Sequence, residues 1–95
     1  MSDRKAYVDK LKAQIDEWNA QIEKMQAQAK QAEADARINY DKQISEMKAQ
    51  RAEAEKTLRK ASEASEAAWK DMRDSFEKAW NDLSAGFRSA LDRYR

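Results

Sequence analysis

The apolar residues of this chain recur at intervals of three and four over nearly its whole length, and no other feature constrains the fold as much. Val8, Leu11, Ile15, Trp18, Ile22, Met25, Ala29, Ala32 and Ala36 alternate the two steps. That spacing places them on one side of an α-helix, in the pattern of a heptad seam. Tyr40 and Ile44 follow at consecutive steps of four, after which Met47, Arg51, Ala54, Leu58, Ala61 and Ser65 restore the alternation. The segment 1–65 therefore reads as a heptad coiled-coil segment with a phase slip near 36–44. Arg51 falls in the seam itself, where it either sets register or snorkels to solvent.

In the segment 66–95 the repeat changes. Ala68, Trp69, Asp71 and Phe76 return eleven positions later as Ala79, Trp80, Asp82 and Phe87, and Met72 returns as Leu83. Eleven residues make three turns at about 3.67 residues per turn, close to the roughly 3.6 of a relaxed helix, so one face persists without left-handed supercoiling. Trp69, Met72, Phe76, Trp80, Leu83, Phe87, Leu91 and Tyr94 share an arc of roughly 120° on that face. Burying all eight would contribute at most on the order of 10–20 kcal/mol. A face of that size is expected to be covered.

Turn signals are scarce. Proline is absent, and the single glycine, Gly86, lies near one end. Nothing therefore forces a turn in the middle of the chain, and an unbroken helix would reach roughly 140 Å at about 1.5 Å per residue. The most turn-prone stretches are Asn39, Tyr40 and Asp41 inside the phase slip, and the serine-rich KASEASEAA at 60–68. Alanine, Gln, Lys, Glu and Arg are strong helix formers. Glu33 with Arg37, Glu55 with Arg59, Glu66 with Lys70 and Asp74 with Lys78 add acid-before-base pairs at i,i+4. The expected fold is all-α: a long amphipathic helix, or a single helical hairpin, forming a coiled coil or helical bundle.

The same residues limit the chemistry. Cysteine and histidine are both absent, so the ordinary zinc sites and the Ser-His or Cys-His nucleophile pairs cannot be built. Asp71 and Asp74 share a helical face, but no pocket is implied around them, and a solvated face accounts for them. There is no glycine-rich phosphate loop. No enzyme activity, cofactor, metal or small-molecule substrate is expected. Nineteen Lys and Arg against eighteen Asp and Glu leave a net charge of +1, with the signs interleaved. The local cluster Lys56, Arg59 and Lys60 is surrounded by Glu53, Glu55 and Glu63, so nucleic acid is not an expected partner. The start of the chain lacks the apolar core of a signal peptide, and nowhere do eighteen apolar residues run together, which points to the cytoplasm.

What remains is association through apolar faces. The candidate protein-interaction residues are Leu11, Ile15, Trp18, Ile22, Met25, Leu58, Trp69, Met72, Phe76, Trp80, Leu83, Phe87, Leu91 and Tyr94. Their expected partners are further copies of the chain, as a homo-oligomer, or other helical proteins, in a structural or scaffolding role. The alternative is peripheral lipid-surface binding through the amphipathic C-terminal helix. Helix packing is preferred because Lys and Arg do not line the borders of the aromatic arc.

The succession DKLKAQIDEW, ADARINYDKQI and AAWKDMRDSFEKAW resembles a family of short bacterial coiled-coil proteins labelled stress-response or uncharacterised. The paired AW motifs are its more distinctive part. The resemblance spans nearly the whole chain and implies a bacterial, cytoplasmic, helical protein, possessing no catalytic residues that could be carried over. It supplies a setting and leaves the mechanism to the residues.

Overall fold

The computed structural model describes residues 3–93 and contains among them three α-helices: α1 (Asp3–Gln31), α2 (Ala34–Glu63) and α3 (Glu66–Arg93). They form an up-down-up bundle of 52 × 18 × 15 Å. Tyr7 of α1 meets Trp69 of α3 and Trp18 meets Phe87, so α1 and α3 run the same way. Helix α2 runs antiparallel to both, with Arg51 against Asn19 and Gln43 against Leu91.

The all-α bundle expected from the periodicity is present, but the chain folds back twice where the sequence suggested one turn or none. The second turn, Ala64 and Ser65, falls inside the serine-rich stretch at 60–68. The first, Ala32 and Glu33, precedes the phase slip, and Asn39, Tyr40 and Asp41 lie within α2.

How a chain without proline turns twice is answered at the helix ends. The last carbonyls of a helix lack intrahelical partners, and a glycine in the left-handed region is the common remedy. Among the described residues none has a positive φ. Long side chains from elsewhere cap the ends instead. Arg37 of α2 folds back onto the end of α1, donating from Nε to Ala29 O at 3.2 Å and from Nη2 to Lys30 O and Ala32 O at 3.4 and 3.3 Å. Arg4 of α1 donates from Nη1 to Ala64 O at the end of α2 and pairs with Glu66 at 3.5 Å. Buried Gln43 of α2 donates from Nε2 to Leu91 O, in the last turn of α3, at 2.6 Å. At the start of α3, Ser65 Oγ accepts from Ala68 N at 3.1 Å, an N-terminal side-chain cap.

The core has two textures. Ala54 and Ala61 of α2 are fully buried, as is Met47, and such small side chains let the α2 backbone approach both neighbours closely. Gly86 serves the same end on α3: a Cβ there would lie 2.9 Å from Cδ and Oε1 of Gln50. Helices α1 and α3 stand further apart and are bridged by large side chains. Arg51, in the α2 seam, donates to Asn19 Oδ1 at 2.8 Å across the α1–α2 contact, a specific cross-helix partner that locates it in register.

Candidate functional site

The eleven-residue repeat of α3 presents its rings to α1, and α1 answers with Tyr7 and Trp18. The Trp18 ring stacks on Trp80 at 5.2 Å and 2°, and on Phe87 at 4.4 Å and 6°. Trp80 and Phe87 lie seven positions apart, two helical turns, so one indole of α1 spans both. Nearer the α2–α3 turn, Tyr7 meets Trp69 at 5.0 Å and Trp69 lies 5.7 Å from Phe76. Aromatic pairs in these offset arrangements stabilise by about 0.5–1.5 kcal/mol beyond their area.

Two of these rings are pinned by their polar tips. Trp80 donates from Nε1 to Gln14 Oε1, and the Tyr7 hydroxyl donates to Phe76 O at 2.8 Å. Burial, reinforced by the carboxylate of Glu77, pushes the Tyr7 hydroxyl up to about 12. Among the described residues no buried side-chain nitrogen or oxygen lacks a partner. The α1–α3 seam is thus an aromatic ladder pinned by hydrogen bonds, with Arg4 closing one end.

Most of the residues expected to make protein contacts face this interior. Leu11, Ile15, Trp18, Ile22, Trp80 and Phe87 are buried in the main cluster, with Met25, Leu58, Leu83 and Leu91 packed half-buried against it. Trp69 and Phe76 are buried with Val8 and Ala61 in a second cluster, which Leu58 also touches. Met72 is the exception, 43% exposed, at the edge of the apolar arc. Tyr94 lies outside the described residues. Asp71 and Asp74 are both exposed, and Arg73 Nε lies 3.9 Å from Asp74 Oδ1.

Periodicity did not reveal the contributions of Tyr7, Gln14, Arg4, Arg37 and Gln43. Each is polar or amphipathic and acts through its polar end on a backbone carbonyl or an indole, Arg37 on three carbonyls at once. Arg37 carries an i,i+4 signal with Glu33 in sequence, yet gives its guanidinium to α1. A groove of about 410 Å³ runs beside the seam, where Glu17, Gln21, Ser84 and Arg88 flank the edges of Trp18 and Phe87. Its wall is mixed in charge. No described helix is long and apolar enough to cross a membrane.

Set against protein-family profiles, curated proteins and solved structures, the chain has no significant match in any of the three.

Proposed function

We propose that the protein is a non-catalytic helical module that works by helix–helix association, with further copies of itself or with other helical proteins. The observation that carries the reading is the seam between α1 and α3. It concentrates the large apolar surface of the chain between the two helices whose backbones approach each other least. Side chains of α1 bridge it. A partner helix with a comparable face can therefore replace α3 on α1 without disturbing the close α1–α2 contact. A cytoplasmic setting, and the stress role implied by the family resemblance, belong to the same reading.

The test is mass by light scattering over a range of concentrations, with circular dichroism on the same samples. Mass is expected to rise above the monomer value while helicity is retained. Replacing buried Ile22 by Asp is expected to abolish both assembly and the fold, whereas Lys30→Asp, on the exposed face, changes neither. A chain that remains monomeric throughout, and captures no helical partner, overturns the reading.

A second reading is supported by the polarity of α3. Trp69, Phe76, Trp80 and Phe87 face inward while the intervening Lys70, Asp71, Asp74, Glu77, Lys78 and Asp82 are exposed. Such a helix can exchange its core contacts for a lipid surface. Vesicle-dependent changes in tryptophan emission at unchanged protein mass would promote it.

A further inference from the structure

We propose that copies of this chain associate by exchanging α3, with the turn at Ala64 and Ser65 straightening so that α2 and α3 become one continuous helix. The proposal rests on the association reading above and names its partner, a second copy of this chain, and its route. It starts from a difference between the two turns. The α1–α2 turn is held locally, by three carbonyls gathered on Arg37. The α2–α3 turn is held by Arg4, from sixty positions away, and by the Ser65 hydroxyl.

The α2–α3 turn can become helical without a change of φ at Ala64. Ala64 has φ −67° and ψ 141°, so straightening turns its ψ by roughly 180° and leaves φ in place. Glu33 in the first turn has the same form, φ −68° and ψ 162°, so what separates the two turns is how each is capped. Ser65 O already accepts from Trp69 N at 2.8 Å, the i to i+4 bond of a helix. Ala68 N, now on Ser65 Oγ, would find Ala64 O at the same spacing once the turn straightens, replacing the bond from Arg4. Neither residue is Gly or Pro. The apolar stripe also continues across the turn at helical steps, through Leu58, Ala61, Ser65, Trp69 and Met72.

A straightened chain leaves its aromatic α3 face uncovered and its own α1–α2 hairpin without α3. A second copy in the same state repairs both defects with the contacts already present in the bundle, the least costly route to a dimer. The lengths match, 30 residues in α2 and 28 in α3. The register matches as well. Gln43 lies against Leu91 and Gln50 against Gly86, and the midpoint of both pairings falls at residues 67–68. Two continuous helices paired antiparallel in that register cross at Ala67 and Ala68, where small side chains permit close approach. Short hinges are the usual sites of such exchange.

The test uses the full chain with spin labels on Lys48→Cys and Lys78→Cys, both exposed positions, diluted into unlabelled protein so that only intrachain distances are read. In the bundle the two positions lie on adjacent antiparallel helices, and the pairings of Gln50 with Gly86 and Gln43 with Leu91 offset them by only about nine residues, roughly 14 Å along the axis. In the continuous helix they stand roughly 45 Å apart, at about 1.5 Å per residue. A population at the long distance, growing with concentration alongside the dimer mass, is the expected result. Glu66→Pro should remain a helical monomer, because proline suits the first turn of α3 and breaks a continuous helix. Arg4→Ser with Ser65→Ala should tighten dimerisation by at least about tenfold, since the caps it removes hold only the bent form. Dimers that show only the short distance, unaffected by Glu66→Pro, would overturn the exchange and leave association standing. Monomers in both the wild type and the Arg4→Ser, Ser65→Ala variant, at every concentration, would overturn both. The distance measurement decides the matter even where a variant fails to fold.

Discussion

The seam between α1 and α3 and the contacts made by α2 solve the same packing problem in opposite ways. In the first, helices held apart by their side chains are joined by ring faces and pinned indole and phenol tips. In the second, Ala54, Ala61 and Gly86 remove side-chain bulk so that backbones approach. The difference teaches where each part of the bundle is vulnerable. An aromatic seam loses stability when volume is removed, and an alanine seam loses it when volume is added.

Trp18→Ala should have the largest effect. It removes the ring that both Trp80 and Phe87 stack on and should cost about 3–5 kcal/mol in urea unfolding. Met72→Ala, on the same apolar arc but exposed, should stay within about 0.5 kcal/mol. Equal costs would show that the stacked seam is not what holds α3.

Ala54→Leu probes the other seam and should cost about 1–3 kcal/mol by overpacking, while Ala52→Leu on the exposed face of α2 changes little. If chemical denaturation finds Ala54→Leu neutral, α2 is not closely packed there.

The pH dependence of the aromatic seam isolates one of its pins. The Tyr7 hydroxyl is raised from 10.0 to about 12, so the folded state holds its proton more tightly than the unfolded state does. The stability it contributes is fully present below pH 10 and is lost as pH rises through 12. The difference in melting temperature between wild type and Tyr7→Phe should therefore be constant below pH 10 and shift against the wild type between pH 10 and 12. A difference independent of pH over that window would place the hydroxyl in solvent.

Gly86→Ala should have the smallest effect. Alanine improves helix propensity by up to about 1 kcal/mol, but its Cβ must displace the flexible end of Gln50. The two effects nearly cancel, and the melting temperature moves by only a few degrees. Adding Gln50→Ala removes the obstruction, so the double variant should melt above Gly86→Ala alone.

Much of the interior was legible in the sequence. Leu11, Ile15, Trp18, Ile22, Trp69, Phe76, Trp80 and Phe87 are all buried, because a spacing of three and four leaves a helix one apolar face and water drives that face inward. The beginning of α3 at Glu66 coincides with the change from heptads to the eleven-residue repeat. The turn before it lies in the stretch where serines gather.

Three matters were settled only by the tertiary structure. The first turn, at Ala32 and Glu33, carries neither Gly nor Pro, and its cap is an arginine, Arg37, that is equally suited to a solvated helix face. The covering of the apolar faces was also undecided, since a heptad face fits a helix of its own chain as well as one from another copy. Met72 is in phase with the repeat yet 43% exposed, because phase on one helix does not say how far a neighbouring helix extends over it. Periodicity is a property of one helix, and it determined that this chain is helical and which side of each helix is apolar. The number of helices, their order and the caps that end them depend on atoms brought together from distant positions, such as Arg4 on Ala64 and Gln43 on Leu91. No spacing along the chain encodes those meetings.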